Sequence, residues 1–206
     1  MRIENNGLIM IDIQNDFCPG GALEVKEGNE IVRIVNSIQE KFSTRILTQD
    51  WHPQNHSSFA SNQKGRDPFS SIDLSYGPQV LWPDHCIMGT LGANFHPDLI
   101  TQPANIIIRK GFRPEIDSYS AFFENDKKTP TGLTGYLRDR NVKELFLTGL
   151  ATDFCVFYSA LDALAQGFSV TVISDACRAI DLNGSLDASM KTMVEAGVNF
   201  TNASFI

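Results

Sequence analysis

The sequence predicts an α/β fold: a three-layer αβα sandwich around a mostly parallel six-stranded sheet, with Rossmann-like topology. Three observations carry this expectation. Short, continuously apolar runs recur along the chain, as strands covered on both faces require. Helical patterns fall between them, which implies βαβ units with helices on both faces of a parallel sheet. Gly167 and Gly197 stand just past two of the helical patterns, where helix C-caps belong.

The elements follow in order. Residues 8–11 form the first strand. A helical pattern over 30–42 then places Ile31, Ile34, Val35 and Ile38 on one face. Strands are expected at 45–48 and 105–109, a helix at 131–140 and a strand at 144–148. A helix over 153–166, a strand at 169–173, a helix over 185–195 and a weaker strand at 198–201 complete the alternation. The stretch 50–103 breaks it, being rich in Ser, Asn, Pro, Gly and His. Loops of that length inside a compact domain are usually functional. No repeat or linker interrupts the 206 residues, about one domain's worth, so 1–206 reads as one domain.

Composition excludes several classes. Hydrophobic residues at 42% and charged residues at 20% are globular values, far from those of disordered chains. The net charge of −7 and the lack of a basic cluster disfavour nucleic acid and anionic membranes as partners. No apolar run approaches the roughly 20 residues of a membrane span, and the N-terminus lacks a signal-peptide pattern. A cytoplasmic location is expected. Cys18, Cys86, Cys155 and Cys177 lie far apart with no C-x-x-C pair, so reduced thiols are the default.

In open α/β sheets the binding crevice lies beyond the carboxyl ends of the strands. The residues there are Asp12 through Gly21, Asp50 through His56, Lys110–Gly111 and Gly149 through Cys155. Cys155 falls in the first turn of a helix, where unpaired N–H groups and the helix dipole favour an anion and lower a thiol pKa. The same amides, from Ala151 and Cys155, suit the oxyanion of a tetrahedral intermediate. A thiol attacking an amide needs a group to take its proton and return one to the leaving nitrogen. Asp12 fits that role, with Lys110 stabilising a thiolate or carboxylate. Each residue alone has an ordinary structural explanation, and their convergence at one sheet edge is what singles them out.

Asp50 and His52, two apart at a strand end, project to one side. With His85 they form a ligand set suited to zinc, iron or manganese, with coordination positions left open. His56 is a further ligand candidate, although a surface histidine is its default reading. Phe17 and Trp82 lie in the same segments, and a small planar substrate stacked between rings follows from that placement.

The segments Ile11 through Gly21, Thr48 through Pro53 with Asn55–His56 and Ser58–Phe59, Leu81 through Cys86, Lys110–Gly111 with Asp117 through Phe122, and Gly149 through Val156 together resemble the nicotinamidases (pyrazinamidases) of the isochorismatase-like cysteine hydrolase superfamily. The resemblance spans nearly the whole chain. It implies an isochorismatase-like fold, Asp12, Lys110 and Cys155 as a catalytic triad, and Asp50, His52 and His85 as ligands of one divalent metal ion. Zinc is the first expectation, with iron or manganese as alternatives. It further implies oxyanion donors at the backbone N–H groups of Ala151 and Cys155, a cis peptide before Ala151, and substrate contacts from Phe17, Trp82 and Tyr119. The implied reaction is hydrolysis of nicotinamide, and of pyrazinamide, to the acid and ammonia through a thioester, serving NAD salvage.

Three other readings are weighed. Another small amide, such as a carbamoyl or ureido compound, predicts turnover that survives metal removal. A dinucleotide-binding oxidoreductase fails because Asp12 and Asp16, not a G-x-G-x-x-G turn, follow the first strand. A non-catalytic binding module is disfavoured by the intact Asp12, Lys110 and Cys155 set. The sequence leaves metal identity and homo-oligomerisation open.

Overall fold

A computed structural model describes residues 3–206, so the first two residues of the expected 1–206 unit lie outside the described residues. Six strands form one sheet: β1 (Ile3–Ile11), β2 (Phe42–Asp50), β5 (Ile106–Lys110), β6 (Glu144–Leu150), β7 (Ser169–Arg178) and β8 (Asn199–Thr201). They lie in the order β5-β2-β1-β6-β7-β8, and every pairing is parallel. The expected mostly parallel sheet is thus wholly parallel. Its order reverses between β1 and β6, where open α/β sheets place their ligands.

Burial on both faces explains the continuous apolar runs. In β1, Leu8 and Met10 pack on one side with Ile31, Val32, Val35 and Ile38 of α1 (Ile31–Ile38). Ile9 and Ile11 pack on the other, with Leu133 and Leu137 of α2 (Leu133–Asp139), Ala160 and Ala163 of α3 (Phe157–Ala165) and Met193 of α4 (Ser185–Ala196). Alternate side chains of one strand therefore serve two cores, each buried Leu, Ile or Met contributing about 1.5–3 kcal/mol.

Several boundaries differ from expectation. The helix expected over 30–42 ends at Ile38, followed by a 3-10 turn (Gln39–Lys41), because Phe42 already belongs to β2 and is fully buried. The helix expected from residue 153 opens instead as a π-turn (Thr152–Val156) before α3. The strand expected at 169–173 runs on to Arg178, past a register shift opposite Leu147 and Gly149. Within the long loop lies an antiparallel hairpin of β3 (Ser71–Leu74) and β4 (Gly77–Val80). Gly167 and Gly197 adopt the left-handed backbone of C-caps, at φ 87° and 95°.

Candidate active site

Asp12, directly after β1, is held at φ 49°, a left-handed backbone unusual for a residue with a side chain. Thr48 of β2 fixes it from both ends: its hydroxyl accepts the Asp12 N–H at 3.2 Å and donates to Asp12 Oδ1 at 2.6 Å. Asp12 Oδ2 lies 2.8 Å from Lys110 Nζ, out of line for a hydrogen bond, which leaves a lone pair free to take a proton.

Lys110 ends β5, and its side chain is fully enclosed. Its ammonium also donates to Asp50 Oδ1 at 2.5 Å, to the Ser118 carbonyl at 2.9 Å and to Cys155 Sγ at 3.5 Å. A surface lysine is thereby excluded. Burial works against the charge, but the Asp12 and Asp50 carboxylates outweigh it and raise the ammonium well above the ordinary lysine pKa.

Cys155 sits in the π-turn after β6, and ligand atoms of Asp12, Asp50 and Cys155 lie within 4.8 Å of one another. Gly149 makes the approach feasible: at φ 125°, a Cβ there would stand 2.0 Å from the Ile11 carbonyl oxygen. The Leu150–Ala151 peptide is cis, as the resemblance implies. The expected lowering of the thiol pKa is corrected. Burial pushes Cys155 well above the ordinary cysteine value, only partly opposed by the Lys110 ammonium. Burial also raises Asp12, against the opposing pull of Lys110. Burial thus disfavours the thiolate and makes the Asp12 carboxylate the stronger base.

Asp50, His52 and His85 are buried together, and their ligand atoms lie within 4.8 Å of one another. Asp50 Oδ2 is 3.5 Å from His52 Nε2 and 3.8 Å from His85 Nε2. His52 Nδ1 faces the Gly111 carbonyl at 2.8 Å, and His85 Nδ1 faces the Pro83 carbonyl at 2.8 Å. A proton on each Nδ1 satisfies these carbonyls and leaves both Nε2 atoms free to bind a metal, as a carbonyl behind the ring does for metal-binding histidines. Two imidazole nitrogens and one carboxylate oxygen thus fit a divalent ion. Gly111, at φ 66°, is part of the cradle, because a Cβ there would lie 2.3 Å from the His52 ring. Gln14 secures Asp50 by donating to its carbonyl at 2.8 Å and accepting its N–H at 2.8 Å.

His56 is not a surface residue. It is fully buried, its ring centroid 4.3 Å from that of His52, with Nδ1 2.7 Å from the Ser58 hydroxyl. Burial lowers its pKa to about 4 and keeps it neutral.

A small cavity opens onto both clusters. Phe17, Trp82 and Tyr119 line it, beside Asp50, His85, Ala151 and Cys155. Trp82 Nε1 donates to the Tyr119 hydroxyl at 3.1 Å, and the Trp82 and Phe154 rings meet edge to face at 4.9 Å. The sequence reading did not single out Leu23, Asp117, Phe154 or Ile180 as lining residues. Phe154 adjoins the singled-out Cys155, and Asp117 stands in a quoted motif. Ile180 lies beyond the carboxyl end of β7, where the rule that points to Asp12, Asp50, Lys110 and Cys155 also points.

This parallel sheet, with a thiol, an ammonium and two carboxylates buried at its carboxyl edge, defines a class of α/β enzyme with a candidate nucleophile beside a candidate metal centre. The isochorismatase domain model matches residues 6–204, and the chain belongs to that family. A nicotinamidase of Acinetobacter baylyi is 51% identical over 199 residues, covering 96% of this chain and 93% of its own. A solved Acinetobacter baumannii nicotinamidase/pyrazinamidase superposes with a TM-score of 0.98 at 51% identity, covering 100% of this chain and 99% of its own. A Pyrococcus horikoshii pyrazinamidase solved in complex with zinc superposes with a TM-score of 0.78 at 36% identity, covering 96% of this chain and 99% of its own. Among the described residues no helix is long and apolar enough to cross a membrane.

Proposed function

We propose that this chain is a metal-dependent cysteine amidohydrolase that converts nicotinamide, and also pyrazinamide, to the acid and ammonia. The observation that carries the reading is the contact chain from Cys155 Sγ to Lys110 Nζ at 3.5 Å and on to Asp12 Oδ2 at 2.8 Å, at the floor of an aromatic-lined cavity. The relatives' names and the zinc-bound neighbour support it.

In this mechanism the Asp12 carboxylate takes the Sγ proton as sulfur attacks the carboxamide carbon, forming the C–S bond. The oxygen that becomes anionic is received by the N–H groups of Ala151 and Cys155. Asp12 returns the proton to nitrogen as the C–N bond breaks and ammonia leaves. Water, deprotonated by Asp12, then attacks the thioester, releasing the carboxylic acid and restoring the thiol. Because burial disfavours a free thiolate, proton transfer accompanies attack, and the Lys110 ammonium compensates the charge on sulfur and carboxylate. Phe17, Trp82 and Tyr119 bind and orient the flat ring and exclude water.

Asp50, His52 and His85 would hold one divalent ion, zinc by the ligand chemistry and the neighbour, with iron or manganese served by the same donors. When bound, that ion supplies a Lewis-acidic anchor for the ring nitrogen. Residues 1–206 act as one catalytic domain, with a long metal-site loop region at about 50–103, in the cytoplasm. The test is ammonia and nicotinate release from nicotinamide by the purified chain, before and after chelation and metal add-back. Turnover that is lost on chelation and regained on add-back is expected. Turnover unaffected by complete metal removal would favour another small-amide hydrolase.

A further inference from the structure

The turn that carries the nucleophile also holds a wall of the substrate cavity through one carboxylate. Asp153, two residues before Cys155, is buried. Its Oδ1 accepts the Ile180 N–H at 3.0 Å, and its Oδ2 accepts the Asp181 N–H at 2.8 Å and the Ser185 hydroxyl. These three donors span the segment from the end of β7 to the start of α4. That segment is built from left-handed backbone at Asp181 (φ 55°), Asn183 (φ 52°) and Gly184 (φ 84°). Two of the three carry side chains, and such geometry persists only where surrounding contacts over-determine it. Ile180, at the head of the segment, lines the cavity with Cys155, Phe154 and Leu23. Ile180 and Leu23 also border the open groove at its mouth.

We infer that Asp153 is a positioning residue that fixes the Ile180 wall relative to Cys155 and so sets the size of ring the site admits. The inference rests on the amidohydrolase reading. A carboxylate accepting three hydrogen bonds holds the wall at a set distance from the turn that bears sulfur. A loosened wall leaves room beside the ring while Asp12, Lys110 and the metal ligands stay in place. Discrimination by an apolar pocket is modest per methyl group, about 10–200-fold, and depends on that wall being rigid.

The test compares kcat/KM for nicotinamide with that for a ring-methylated nicotinamide, in the wild type, Asp153→Asn, Ser185→Ala and Ile180→Ala. Asp153→Asn keeps the Ile180 bond but replaces the acceptor of the other two with an amide. The expected result is a wild type that favours nicotinamide and an Asp153→Asn variant whose preference narrows about tenfold, chiefly through a raised KM for nicotinamide. Ile180→Ala should narrow the preference similarly, and combining it with Asp153→Asn should narrow it no further. Ser185→Ala, which removes one bond, should move the ratio the same way by less. An unchanged ratio in folded Asp153→Asn, or in Ser185→Ala if Asp153→Asn does not fold, overturns the inference. A wild type that releases no ammonia from nicotinamide overturns the amidohydrolase reading itself.

Discussion

Asp50 divides its carboxylate, with Oδ1 held by the Lys110 ammonium at 2.5 Å and Oδ2 facing His52 and His85 at 3.5 and 3.8 Å. The thiol cluster and the metal-type cluster therefore share one residue. Lys110 in turn balances Asp12 on its other side, at 2.8 Å. A change in either cluster reaches the other through a single buried ion pair, in surroundings where charge is poorly screened.

Asp12→Asn keeps the shape of the site and removes the proposed base. We expect kcat to fall roughly 10²–10⁴-fold, the usual worth of a positioned general base. The pH profile carries a second signature. Burial raises Asp12, so the acid limb of kcat/KM lies above the ordinary aspartate value of about 3.9, and activity declines as falling pH protonates the carboxylate. Lys110 is raised, so no alkaline loss arises from its deprotonation below about pH 10. Steady-state kinetics from pH 4 to 9 on both proteins check this, with the wild-type acid limb absent from the variant.

His52→Ala removes an Nε2 donor and leaves the Gly111 carbonyl without its partner. Changes in the outer shell alone typically cost 10–100-fold in metal affinity, so loss of a proposed ligand should weaken binding by at least about a hundredfold. Metal content after dialysis, and competition with a chromogenic chelator, measure it. Gly111→Ala should act in the same direction, because its Cβ would collide with the His52 ring.

Folded stability should depend on His56. The native histidine titrates at about 4 and the unfolded one at about 6.5. As pH falls below 6.5 the unfolded state takes up a proton that the native state refuses. Stability is fully present above that value and declines through the interval down to about 4, by about 3 kcal/mol in all. Urea unfolding at successive pH values should show this decline in the wild type and a shallower one in His56→Gln.

Much of this was legible in sequence because strands buried on both faces must be apolar throughout, and because residues just past them meet at one sheet edge. That logic brings Asp12, Asp50, Lys110 and Cys155 together before any coordinates. It fails where long-range packing decides. The Cys155 thiol is desolvated by the residues around it, which overrides the dipole at its turn. His56 stands in a Ser- and Asn-rich stretch that reads as surface, yet Phe59 and His52 close over it. The β3–β4 hairpin is only four residues to a strand, and its one fully buried side chain is polar, Gln79, so little in its pattern announces it. Beyond Ile173 the apolar run yields to Ser174 and Asp175, concealing the continuation of β7 toward Ile180.

The identity of the nucleophile is tested most directly by ammonia release from nicotinamide in Cys155→Ala beside the wild type, with circular dichroism and metal content measured on the same samples. A loss of at least about a thousandfold is predicted, with fold and metal retained, as for removal of a covalent nucleophile in other hydrolases. Near-normal turnover by the folded, metal-loaded variant would contradict it.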